Sequence, residues 1–337
     1  MAPMKFVVRA PNWVGDSILA LPALTSLAEN FPQSQIWVTA HKWVKDLFSL
    51  FDDIEGIIPL ADVNSYGKIK ASARVLREQN FDVGLLLTNS FASALLFYMA
   101  KIPQRWGYRK DGRSILLTQR VTAAETEKPV HQIHYYLNLI VGLGIKPSSP
   151  RLALHLTQEQ KDRAQSTLAS LNIEREAPLV IFNPGAYYGS AKRWPATRYA
   201  ELASLLQEKY RASVLLIGST EEVTLAETIA SAAAKKPAIL SGQTSLPQLA
   251  AIISLADIFI SNDSGPMHIA NALKIPVVAL FGPTDPRRTG PFQEPSFVLQ
   301  KQPPCWPCSY RTCPFDHRCM THISAEEAFQ ACQGFLG

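Results

Sequence analysis

No run in the sequence is apolar for long enough to cross a bilayer. The longest strongly apolar stretch, residues 92–100, falls far short of the roughly 20 residues a spanning helix needs. Near the start, Arg9 and Asp16 interrupt the apolar residues, so that stretch reads as part of a fold and not as a signal peptide. Neither half contains Gly-x-Gly-x-x-Gly after a strand, which argues against a nucleotide-dependent oxidoreductase. Asp-x-Asp is missing as well, and with it the paired carboxylates that commonly clamp a metal onto a diphosphate, so neither a metal nor a cofactor is expected. No RNA- or DNA-binding motif occurs. The excess of 33 Lys and Arg over 28 Asp and Glu is mild, suiting acidic small molecules or an anionic surface, and nucleic acid is not an expected partner. A soluble or membrane-peripheral cytoplasmic protein is the expectation.

What is present is apolar material for more than one core: 337 residues, 47% of them hydrophobic, imply two compact domains. In the first half, strand-like runs at 5–9, 36–39, 54–59 and 83–88 alternate with helical patterns at 18–31, 44–51 and 68–78. The segment 147–150, Pro-Ser-Ser-Pro, neither continues a helix nor pairs in a sheet, and reads as a linker. Alternation then restarts, with strands predicted at 179–182, 214–217, 239–240, 258–260 and 277–281. Helices are predicted at 158–170, 197–209, 221–235 and 246–253. Such alternation predicts an α/β protein with parallel sheets covered on both faces, divided as 1–150 and 151–322. A closing helix in 323–337, with Ser324 and Glu327 in capping-box spacing, is expected to pack back on the first domain.

The chain is organised around residues 257–286. A buried strand there delivers Asn262-Asp263-Ser264-Gly265 to the start of a helix near Pro266, where unpaired N–H groups and the helix dipole favour an anion. An ordinary strand-turn-helix with Asp263 as its cap fits the same local pattern. Since ligands of doubly wound sheets sit at the carboxyl ends of strands, three loops stand out: 10–17, 183–194 and 262–268.

Asn262-Asp263-Ser264-Gly265-Pro266-Met267-His268, followed by Phe281-Gly282-Pro283-Thr284, resembles the nucleotide-sugar signature of the ADP-heptose:lipopolysaccharide heptosyltransferases, glycosyltransferase family 9. The likeness runs over nearly the whole chain. It implies the glycosyltransferase B fold, two Rossmann-like domains facing across a cleft, the first binding the acceptor and the second the ADP-heptose. The implied reaction is metal-independent, inverting transfer of L-glycero-D-manno-heptose from ADP-heptose to a phosphorylated, lipid-linked inner-core oligosaccharide, with peripheral contact to the inner membrane. Where one branch of the family has Thr-Thr shortly before its matching lysine, this chain has Gly189-Ser190-Ala191. That favours the branch whose acceptor is the heptose already attached to Kdo-lipid A. Addition of the first heptose, or another nucleotide-sugar transfer within the family, is the alternative.

Residue by residue, the resemblance makes Asp16, in the family's Gly-Asp motif, the base that deprotonates the acceptor. On local pattern alone Asp16 reads as a cap for a helix starting at Ser17. Lys192, in Lys-Arg-Trp-Pro, is expected to stabilise the departing diphosphate, although an exposed Lys-Arg pair is ordinarily a solvated feature. Ser264, Gly265 and His268 with Asp263 complete the donor cradle, Ser190 is a weak phosphate ligand, and Glu221 or Glu222 is placed to accept from ribose hydroxyls. A lone helical histidine and helix-start glutamates are also ordinary structural features. Asn12 and Trp13 of the first loop, with Arg109, Arg113 and Arg120 of the basic and aromatic run beginning at Arg105, are assigned to the acceptor and its phosphates.

Cys305-x2-Cys308-x4-Cys313-x5-Cys319, near His317 and His322, is the remaining constellation. Four close thiols fit either structural zinc or reduced cysteines in a packed loop. Pro304, Pro307 and Pro314 restrict how that loop can wrap an ion.

Overall fold

A computed structural model describes residues 3–60, 65–123, 129–173 and 176–336. The chain divides into two compact units, Met1–His155 and Leu156–Gly337.

The first unit is a sheet of six parallel strands: β1 (Lys5–Arg9), β2 (Gln35–His41), β3 (Gly56–Leu60), β4 (Val83–Leu86), β5 (Gln104–Tyr108) and β6 (Gln119–Val121), in the order β3-β2-β1-β4-β5-β6. β1 is central because its Phe-Val-Val run is buried on both faces, with Val7 opposite Trp37 on one side and Gly84 on the other. One core cluster joins Val7, Leu86, Leu96, Phe97 and Ile102. The single helix expected over 18–31 begins earlier and is broken in two, Val14–Leu19 and Leu21–Asn30. Pro22 lies at the start of the second piece, where its missing N–H costs no hydrogen bond. The basic and aromatic run beginning at Arg105 is in part β5, whose Trp106 and Tyr108 are both buried. Its charge disguised the strand, because Arg105 turns back to donate to the carbonyls of Leu116 (2.7 Å) and Ile102 (2.5 Å). The stretch expected as a free linker is tied down: Ser148 donates its hydroxyl to Pro22 O (2.8 Å) and its N–H to Ser26 Oγ (2.9 Å).

The second unit repeats the plan with β7 (Leu179–Asn183), β8 (Ser213–Leu216), β9 (Ala238–Ile239), β10 (Ile258–Asn262), β11 (Val277–Phe281) and β12 (Ser296–Gln300), in the order β12-β11-β10-β7-β8-β9. Counted within each unit, both sheets have the doubly wound order 3-2-1-4-5-6, which reverses between its first and fourth strands. Those switch points, β1 beside β4 and β7 beside β10, are where the site loops emerge.

The closing helix, Ala325–Leu336, starts with the capping box read from the sequence: Glu327 N–H donates to Ser324 Oγ at 3.1 Å, and Ser324 N–H to the Glu327 carboxylate at 3.0 Å. It packs within the second unit. Ala325, Ala328 and Cys332 enter the core of the second unit, and Phe329 meets Tyr210 at 6.2 Å between ring centroids. The reason is an apolar stripe at helical spacing that completes the cover over the helix Ala196–Tyr210. Lys301 holds the Glu327 carboxyl below its usual range, and the Ser324 N–H adds to this. A carboxyl whose folded pKa is lowered stabilises above its unfolded value and loses that contribution as pH falls through the folded one. The protection of amides in this helix, taken as exchange relative to the intrinsic rate at each pH, is therefore expected to fall as pH drops below about 4, earlier than in the strands, and Glu327→Gln should flatten that response.

Among the described residues, no helix is long and apolar enough to cross a membrane.

Candidate active site

In the first unit the loop leaving β1 carries Asn12, Trp13 and Asp16. The helix there starts at Val14 with Trp13 at its N-cap position, so Asp16 lies inside the first turn and does not cap it. The carboxylate is partly exposed, favoured by the helix N-terminus, and accepts from Tyr136 Oη at a long 3.5 Å. Burial, followed by the negative charge of Asp16, raises the Tyr136 hydroxyl well above its usual pKa, so it remains a donor at neutral pH. Asn12 is anchored from below by Arg9, a wholly buried guanidinium donating to Asn12 Oδ1 (2.6 Å) and Ala10 O, its pKa lowered to about 10 by burial.

The basic residues assigned to the acceptor do not share one environment. Arg109 and Arg120 are exposed, Arg109 just past the end of β5 and Arg120 within β6. Arg113 is corrected: it is fully buried, donating to Tyr108 O (3.0 Å), Thr88 O and Asn89 Oδ1 (3.4 Å), and burial lowers its pKa to about 10. It fastens the loop after β5 to the loop after β4 and offers nothing to a ligand. Arg113→Ala leaves two buried carbonyls unmet, at about 1–3 kcal/mol each. Thermal unfolding should drop by several degrees, whereas Arg109→Ala should leave it unchanged.

In the second unit, β7 and β10 each end on a buried asparagine. Asn183 Nδ2 donates to Ser261 Oγ (2.8 Å) and Ser264 Oγ (2.9 Å). Asn262 Nδ2 donates to Pro184 O (2.6 Å), while its oxygen accepts from Trp194 N (3.1 Å) and Tyr199 Oη (3.2 Å). These crossed bonds lace the loop after β7 to the turn after β10. An asparagine closing a mainly apolar strand was a signal legible in both stretches. Into this frame Lys192 projects from a short 3₁₀ turn, Ser190–Lys192, to pair with Asp263 at 2.5 Å, both side chains nearly buried. Thr284, after β11, donates to the same carboxylate oxygen at 2.6 Å, and the Lys192 ammonium lies over the Tyr188 ring, 4.8 Å from its centroid. Asp263 is thus the fastening of Lys192 and not a cap. Ser264 holds the N-cap position of the helix Gly265–Ala272 without making a side-chain cap bond, its hydroxyl being engaged by Asn183.

Of the other donor-side residues, Ser190 and Glu221 are exposed. His268 is buried at 3% exposure, so its ring is packed within the fold. Glu222 accepts from Ser219 N at 2.8 Å and lies against Gly185 of the loop after β7. A Cβ on Gly185 would stand 1.9 Å from the Glu222 carboxylate, so any larger residue there would displace that carboxylate.

Sequence reasoning missed the brace behind Lys192. The cysteine-rich segment supplies it: Ala191 N–H donates to Arg311 O (3.0 Å), His317 Nε2 meets Ala191 O (2.7 Å), and Tyr188 Oη donates to Ser309 O (2.8 Å). Cys305, Cys308, Cys313 and Cys319 line one small cavity of about 20 Å³ with Pro283 and His317. Burial, then the neighbouring thiols, push Cys319 up to about 11. Among the described residues no group of three or more His, Cys, Asp and Glu is arranged to hold a metal ion.

Two doubly wound six-stranded parallel sheets, one in each unit, with loops emerging at both switch points, give the α/β architecture of the glycosyltransferase B class. Residues 69–318 match the profile of Glycosyltransferase family 9 (heptosyltransferase). The chain is 33% identical to Lipopolysaccharide heptosyltransferase 2 of Salmonella typhimurium over 88% of each protein, and 29% identical to Lipooligosaccharide heptosyltransferase 2 of Campylobacter jejuni over 99% of the chain and 98% of the relative. The solved structure of Escherichia coli ADP-heptose lps heptosyltransferase II matches with a TM-score of 0.85 and 28% identity, covering 99% of this chain and 98% of that one. The chain belongs to glycosyltransferase family 9, the heptosyltransferases.

Proposed function

We propose that the protein transfers L-glycero-D-manno-heptose from ADP-heptose, with inversion, to the first heptose of the Kdo-lipid A inner core. The observation that carries this reading is the Lys192–Asp263–Thr284 set beside the uncapped start of the helix Gly265–Ala272, in a chain 33% identical to a heptosyltransferase 2. A diphosphate needs a cation and oriented N–H donors, and this corner supplies both.

In the proposed reaction Asp16 takes the proton of the acceptor hydroxyl as its oxygen forms a bond to the anomeric carbon. The bond from that carbon to the ADP oxygen breaks with its electron pair, and Lys192 with the amides at Ser264 and Gly265 balances the charge left on ADP. Asp263 and Thr284 hold the ammonium in place before the donor arrives, so little side-chain freedom remains to be lost. Glu222, folded against the loop after β7, is assigned to the ribose. Asn12, Trp13, Arg109 and Arg120 are assigned to the acceptor, and the lipid of that acceptor brings the protein to the cytoplasmic face of the inner membrane. Arg109→Ala is expected to raise the acceptor's KM and spare the donor's; equal acceptor kinetics would remove that assignment.

The decisive experiment incubates the purified protein with ADP-heptose and two acceptors, Kdo-lipid A with and without its first heptose. Transfer to the heptosylated acceptor alone is the expected result. Transfer to the bare Kdo acceptor assigns the earlier step, and transfer to neither overturns the reading.

A further inference from the structure

We infer that Trp43, stacked on His41, is a preformed platform for a sugar ring of the acceptor; the inference rests on the glycosyltransferase reading above. His41 ends β2, next to β1 in the sheet, and Trp43 follows two residues later at the carboxyl edge where the Asn12–Asp16 loop emerges. The two rings lie 4.3 Å apart and 9° from parallel. His41 is buried at 6% exposure, whereas Trp43 is 47% exposed, so one indole face is covered by the imidazole and the other is open. The indole N–H donates to the backbone oxygen of Asn12 at 2.9 Å, and Asn12 is itself fixed by the buried Arg9.

Holding so large an apolar ring half in water is unfavourable, and here the ring is also immobilised. Stacking beneath and a hydrogen bond at the edge leave it few rotamers to lose, so a ligand that covers the open face gains contact at little entropic cost. The C–H face of a pyranose has the shape and polarity to do so, with its hydroxyls directed to the rim. The bond to Asn12 ties the platform to the loop of the candidate base, which makes the occupant the acceptor sugar. Adenine, the other flat ring in the reaction, belongs to the donor, whose candidate cradle is built in the second unit. A tryptophan seated in a bilayer surface would direct its N–H to lipid headgroups, but this one is spent within the fold.

The test compares Trp43→Ala, Trp43→Leu and Trp43→Phe in the full chain, using ADP-heptose and a deacylated, water-soluble heptosyl-Kdo acceptor. Ala and Leu are expected to raise the acceptor's KM by about 3–10-fold and leave the donor's KM and the melting temperature unchanged, with Phe retaining most of the affinity. The acceptor should also quench tryptophan fluorescence of the wild type and quench the Phe variant less. Unchanged acceptor KM in Ala and Leu, with an active wild type, overturns the platform while the enzymatic reading stands. A wild type that transfers nothing overturns both. Lost binding to anionic phospholipid vesicles, with unchanged kinetics on the soluble acceptor, would make Trp43 a membrane contact and overturn the platform. A fall in melting temperature shared by all three variants would make it structural.

Discussion

Asp16→Asn is expected to lower turnover by about 10²–10⁴-fold, the range a positioned general base contributes, with no loss of affinity for ADP-heptose and no loss of stability. The substitution keeps the shape of the side chain and removes its basicity. Asp16 is partly exposed and makes no side-chain cap bond, and the long 3.5 Å contact from Tyr136 is one an amide oxygen can also accept. Kinetics with the heptosylated acceptor, donor affinity by calorimetry and a thermal melt separate the outcomes. Turnover close to wild type would take the base away from Asp16. A loss confined to the melt would make the residue structural.

Lys192→Met is expected to produce two losses that a second substitution pulls apart. Turnover should fall by about 10²–10³-fold, the effect of removing one preorganised group that stabilises developing charge. Stability should fall as well, because Asp263 is left buried with only the Thr284 hydroxyl. Breaking a buried pair from one side costs about 3–5 kcal/mol. In Lys192→Met with Asp263→Asn the stranded charge is gone, and most of the stability should return while turnover stays low. Asp263→Asn alone should keep part of the activity, because the ammonium remains, held by fewer partners and over the Tyr188 ring. If the double variant regained turnover together with stability, Lys192 would be a folding residue and the leaving-group assignment would fail.

β1, β7, β10 and β11 are short apolar runs buried on both faces, and their composition announces them. β5 and β6 were hidden because Gln104–Tyr108 and Gln119–Val121 carry arginines whose conformations no local pattern specifies. Arg113 looked like its exposed neighbours. Only burial between two loops, with three oxygens arranged around its guanidinium, makes it an anchor. The capping box at Ser324 and Glu327 was readable because both partners lie within one turn.

The sequence by itself determined what short-range physics controls: the alternation of strand and helix, its repetition in two units, the loops at the strand ends and the asparagine that closes β7 and β10. Tertiary structure alone decided which side chains meet there. Thr284 reaches Asp263 across 21 residues, the cysteine-rich segment braces Ala191 from 126 residues away, and Trp43 is joined to Asn12 over 31. Such contacts leave no periodicity in the chain. They arise when strand order and register bring distant loops to one edge, where polar groups leaving water must find partners or incur the cost of going without.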